Sequence, residues 1–186
     1  MTFIGPQERS LGANVRLVYL HGAWVLTAEV AYLASALAGA AALVTRRAGL
    51  HAWSQALGRT GTLFWVTYLP LSLWAMQSNW NGLFLAEPRF RLALIFAVTA
   101  VLLQVGLWSF NLPWLTSAAN VIFFIVLRVA FSTASNIMHP PPSPIFNSGN
   151  YLLIAYFIGL NLLTWVAAYL VTRGWLALAS PKTVRA

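Results

Sequence analysis

The chain has 186 residues, of which 60% are hydrophobic and only 8% charged, against roughly 45–50% and 25% for a soluble globular domain. A water-soluble surface cannot be built from 11 Lys/Arg and 3 Asp/Glu, so most of the outer surface must face lipid, which solvates Leu, Ile, Val and Phe at no cost. The formal charge of +8 does not point to nucleic acid, because Arg46, Arg47, Arg59, Arg173, Lys182 and Arg185 stand beyond the ends of apolar runs instead of forming a patch. The absence of cysteine rules out disulfides, thioether attachment and thiolate metal centres, so that any cofactor must be held by histidine or by packing.

A span needs roughly 20 apolar residues. In chain order, residues 1–16 read as a polar external tail without the pattern of a signal peptide. A single transmembrane domain follows over 17–178, with spans expected at about 17–44, 61–78, 92–110, 114–133 and 151–170, and a cytoplasmic tail at 179–186. The expected fold is thus an all-α membrane bundle of about five helices. The Ala/Gly/Ser-rich stretch from Ala34 to Ala42 suits close approach of a neighbouring helix, and Pro70 removes one backbone hydrogen bond from the second span.

The connections alternate between two faces. Six Lys/Arg fall in 46–60, 111–113 and 173–186, and four (Arg9, Arg16, Arg89, Arg91) fall in the tail, 79–91 and 134–150. The excess places the first face in the cytoplasm, with the N-terminus outside, the C-terminus inside and the plasma (inner) membrane as the location. On the outer face Trp24, Trp74, Trp80, Phe84 and Phe90 stand near helix ends, as interfacial aromatic residues do. The grouping of Trp74, Trp80 and Phe84 around one loop suggests an apolar platform as well.

Of the three histidines, His21 opens the first span and His139 follows the fourth, both on the expected outer face. A lone interfacial histidine is usually a polar anchor, but two neutral imidazoles aimed at one space are what axial ligation of haem iron requires. His51, in the expected cytoplasmic loop, reads as a surface residue. Glu29 and Arg128 fall within spans, where an ionised side chain costs at least ~2.5–3.5 kcal/mol. At ~1.5 Å per residue Glu29 lies about 12 Å inward of His21 and Arg128 about 16 Å inward of His139, depths that suit a structural ion pair. No nucleophile motif, phosphate-binding loop, paired carboxylates or His-Glu-x-x-His is present, so the chain does not read as an enzyme.

Three stretches carry a family likeness: Val18-Tyr-Leu-His-Gly-Ala-Trp24, the acid-x-Arg loop Trp80-Asn-Gly-Leu-Phe-Leu-Ala-Glu-Pro-Arg89, and Asn120-Val121 through Ile137-Met-His-Pro-Pro141. Over roughly Arg16 to Tyr169 the chain resembles the CcmC/CcsA haem-handling membrane proteins of cytochrome c biogenesis, which carry an external tryptophan-rich loop between haem-binding histidines. The likeness implies non-covalent haem b held between His21 and His139, with Trp80 and Phe84 against the porphyrin and Arg89 or Arg91 on a propionate, a pairing that suits guanidinium geometry. It implies haem delivery or export, with other membrane subunits or a haem-accepting protein as partners. The departures are specific. Only Trp80 remains of the loop's tryptophans, Glu87 stands where the family has aspartate, and the family's helix before the first histidine has no counterpart. A chain that kept the fold but lost haem transfer, serving as a structural or assembly subunit, is the alternative; a small transporter built on Glu29 and Arg128 is a third.

Overall fold

A computed structural model describes residues 5–7, 11–135 and 145–179. These form five α-helices: α1 (Val15–Thr45), α2 (Ala48–Trp80), α3 (Pro88–Phe110), α4 (Pro113–Thr133) and α5 (Tyr151–Ala179). Four of them, α1, α3, α4 and α5, are long and apolar enough to cross a membrane. The shortest, α4, has 21 residues, or about 32 Å against a hydrocarbon core of about 30 Å.

The ends follow local chemistry. Arg46, Asn81 and Asn111 adopt the left-handed conformation just past α1, α2 and α3, the position where a helix closes its last carbonyls. Pro88 and Pro113 open α3 and α4, where a missing N–H costs nothing. The largest difference from the sequence expectation is in α2, which begins at Ala48 instead of near 61 and runs through Pro70 without ending. Residues 48–60 are therefore helix, and the first connection shrinks to Arg46 and Arg47.

The less apolar α2 is the centre of the bundle and packs on all four other helices. It lies antiparallel to α1 along its whole length: Asn14 Nδ2 donates to the carbonyl of Ser78 (2.8 Å), Trp24 Nε1 to Thr67 Oγ1 (2.9 Å), Tyr32 OH to Thr62 Oγ1 (3.2 Å) and Ser35 Oγ to the carbonyl of Ser54 (2.6 Å). Where α1 crosses a bilayer, α2 crosses beside it. The helices α4 and α5 each touch both members of this hairpin but not each other, so they fill its opposite grooves, and α3 packs on α2 and α4.

Lipid offers no hydrophobic drive for helices to associate, so close packing and interhelical hydrogen bonds must hold the bundle. Thr27 joins Thr164 at 2.7 Å and Thr60 joins Thr172 at 2.8 Å, seating α5. On the other side Asn120 Nδ2 donates to the Ser54 carbonyl (3.0 Å), Gln104 Nε2 donates to Asn120 Oδ1 (3.2 Å), and His51 Nδ1 meets Ser117 Oγ at 2.7 Å. His51, expected at the surface, is half-buried in this network. The aromatic core is centred on Trp65, which is fully buried, stands edge-on to Tyr68 (5.1 Å) and donates its Nε1–H to the carbonyl of Ala93 (3.0 Å).

Candidate functional site: a charged cleft at the N-terminal end of the bundle

His21, Val25 and Glu29 recur every fourth residue along α1, and Tyr68, Ser72 and Met76 do the same along α2, so each triplet lies on one helix face. The two faces meet across a cleft of about 120 Å³, closed by Glu87, Arg89 and Phe90 at the start of α3 and by Phe131 of α4. The His21 and Tyr68 rings are 5.5 Å apart between centroids, tilted by 56°.

Two of the chain's three acidic residues line this one space, and each has work elsewhere. Glu87 is buried and caps α3 by accepting the Phe90 N–H at 2.6 Å. Glu29 Oε2 accepts from Arg128 Nη1 at 2.9 Å, bridging α1 and α4. Arg89 also acts electrostatically on Glu29. The Nε of Arg89 is buried and has no hydrogen-bond partner among the described residues, an arrangement that leaves a donor available to a ligand oxygen.

The structure brings together part of the expected site. His21 and Arg89, far apart in sequence, share the cleft with Glu29, and Arg128 reaches in from α4. Trp80 and Phe84 are 41% and 43% exposed and do not line it. Arg91 also lies outside, its Nε directed at the carbonyl of Leu85 at 3.4 Å. His139 lies outside the described residues. The sequence reading did not anticipate Tyr68, Ser72 or Met76; their four-residue spacing opposite His21 was the available signal.

The donor set suits a carboxylate-bearing, flat apolar ligand such as haem in part: one imidazole, one guanidinium with an orphaned N–H, and the apolar side chains of Val25, Met76, Phe90 and Phe131. The volume is small beside the roughly 300–1,000 Å³ of ligand-enclosing pockets. It fits a group resting at the open mouth and does not fit an enclosed porphyrin. No protein-family model, curated protein or solved structure matches the chain.

Proposed function

We propose that the chain is a haem-handling membrane protein of the cytochrome c assembly type, holding haem b transiently and without covalent attachment at the mouth of the His21 cleft. The observation that carries this reading is the convergence of His21 with the orphaned Arg89 Nε in one opening. His21 would offer an axial nitrogen and Arg89 would bind a propionate, with His139 as the second imidazole. The chain makes and breaks no covalent bond in this reading; it receives the ligand and yields it to a haem-accepting protein or membrane partner. The Lys/Arg balance puts the cleft on the outer face of the plasma (inner) membrane, the N-terminus outside and the C-terminus in the cytoplasm.

The test is an absorption spectrum of the protein purified in mild detergent after haem supplementation. A Soret band is expected, weakened in His21→Ala, His139→Ala and Arg89→Gln and retained in Arg91→Gln. A wild type that takes up no haem, or a band indifferent to all of these changes, overturns the reading.

One observation favours the alternative of a structural or assembly subunit in a larger membrane complex. Glu87 of the acid-x-Arg loop caps α3 through the Phe90 N–H, while Trp80 and Phe84 do not line the cleft. Loss of a partner complex on deletion of the chain, with no haem bound by the purified protein, would establish that role instead.

A further inference from the structure

Arg59, expected beyond the end of a span, lies within one. Its neighbour Gly58 packs on the Asn120 side chain, and its neighbour Thr60 shares a 2.8 Å hydrogen bond with Thr172. Asn120 is seven residues from the start of α4 at Pro113, and Thr172 is seven residues from the end of α5 at Ala179. On both measures the Arg59 backbone stands about 10 Å inside the bundle from that end, a depth at which an arginine needs a counter-charge. Arg59 is half-buried, with its guanidinium 5.7 Å from the centre of the Trp175 ring. Among the described residues it has no ion-pair or hydrogen-bond partner, and the Nε1–H of Trp175 is buried without an acceptor. The chain has three acidic side chains. Glu29 is paired with Arg128 and Glu87 caps α3, while Glu8 lies outside the described residues.

Depth and shape together state what supplies the acid. The helix α4 just spans the hydrocarbon core, so a lipid phosphate, about 5–7 Å beyond the core boundary, stands about 15 Å from the Arg59 backbone, farther than an arginine side chain extends. Trp175, which the guanidinium faces, is only three residues past Thr172 and about 4.5 Å nearer that boundary. The surface of α2 that leads away from Arg59 has the pattern of a helix-docking seam. Arg59, Leu63, Val66, Pro70, Leu73 and Gln77 recur at alternating steps of four and three, the spacing with which one helix meets another. Leu63, Pro70 and Gln77 are exposed and the other three are half-buried, so this strip of an otherwise enclosed helix is left uncovered. It runs for about 27 Å, close to the thickness of the core. Pro70 offers no N–H to the Val66 carbonyl, which adds a second polar group that lipid cannot satisfy.

We propose that the Arg59–Gln77 strip of α2 docks one transmembrane helix of another protein, which carries an Asp or Glu level with Arg59. The partner's carboxylate pairs with the guanidinium, and its apolar side chains lie over Leu63, Val66 and Leu73. A second copy of this chain does not suit the place, because Glu29 and Glu87 are already engaged. The strip is separate from the His21 cleft, and the proposal does not depend on the haem reading.

The experiment reconstitutes the full chain in phosphatidylcholine vesicles with a synthetic single-span Leu/Ala peptide bearing one Glu about seven residues from its end, or Gln at the same place, and reads association by fluorescence transfer. The Glu peptide is expected to bind about three- to tenfold more tightly than the Gln peptide. That preference should vanish in Arg59→Gln, shrink in Trp175→Phe, and persist in Arg173→Gln, which removes an equal charge from the exposed side of α5. In the cysteine-free chain, Leu63→Cys should form a disulfide with a peptide cysteine one turn from the Glu, whereas Val98→Cys on the exposed face of α3 should not. The comparison of the two peptides on the unaltered chain, and the crosslink at the exposed Leu63 position, decide the matter even if the Arg59 variant fails to fold. Equal affinity for the two peptides, a preference unchanged by Arg59→Gln, or equal crosslinking at Val98 overturns the proposal. So does an Arg59-dependent binding of phosphatidylglycerol, read by native mass spectrometry, that excludes the Glu peptide, since it would make a lipid the occupant.

Discussion

Arg128 Nη1 donates to Glu29 Oε2 at 2.9 Å, joining the middle of α1 to the last turns of α4 beside the His21 cleft. Neither charge is enclosed: the side chains are 48% and 24% exposed, and what surrounds the bundle at this depth is lipid or another protein. Each charge is thus stabilised chiefly by the other. Glu29→Gln and Arg128→Gln are each expected to destabilise the protein more than the two together do, with a coupling of about 1–3 kcal/mol in a double-mutant cycle. Additive losses in detergent unfolding would mean that the two charges do not depend on one another.

Gly39 and Gly58 lie where α1 and α2 meet α4. A Cβ on Gly39 would come within 2.8 Å of the Ser117 carbonyl oxygen and 2.9 Å of Ser54 Oγ, and one on Gly58 within 2.9 Å of Asn120. Gly39→Ala should cost about 1–3 kcal/mol, because a backbone carbonyl cannot move aside, and Gly58→Ala should disturb the Asn120 bond to Ser54. Gly106→Ala, where nothing lies within 4 Å, is the control and should be neutral or slightly stabilising. Thermal melts of the three variants would show it.

Glu87 holds the start of α3 through the Phe90 N–H. Glu87→Ala should remove about 0.5–2 kcal/mol and loosen the cleft wall that Arg89 and Phe90 form. Hydrogen exchange of the first turn of α3 measures this directly; unchanged protection there would show that Pro88 alone is enough to start the helix.

Cysteines can be introduced singly into this cysteine-free chain to read the orientation. In intact cells an impermeant thiol reagent should label a cysteine at Gly82 or Phe146 and spare one at Arg47, given the N-terminus outside. The reverse pattern would invert the orientation and place the His21 cleft on the cytoplasmic side. Ser54, fully buried between α1 and α2, is not suited to this experiment although it falls in the stretch expected to be a loop.

Hydropathy was enough to find the membrane class and the extents of α3, α4 and α5, whose ends differ from the expected spans by a few residues except where α5 runs on to Ala179. It failed on residues 48–60, because Gly, Ser, Gln, His and Arg in that stretch resemble a loop by composition while in fact serving the centre of a bundle. Small and polar residues are what the most enclosed helix of a membrane protein needs. The depth arithmetic placed Glu29 and Arg128 at comparable levels, since rise per residue is a property of any helix.

Which faces meet is another matter. In water the apolar stripe of a helix announces its inner side, but here nearly every position is apolar and lipid accepts all of them, so periodicity does not orient a helix. The sequence by itself determined a lipid-embedded, all-helical chain with charges confined to helix ends and a few intramembrane positions. Only the tertiary structure decided that α2 stands in the middle, that His21 and Arg89 open into one cleft that Trp80 and Phe84 do not line, and that Arg59 of α2 lies against Trp175 of α5. Those choices were made by glycines that admit a neighbouring backbone and by serine, threonine and asparagine pairs between helices, interactions that exist only once the helices are side by side.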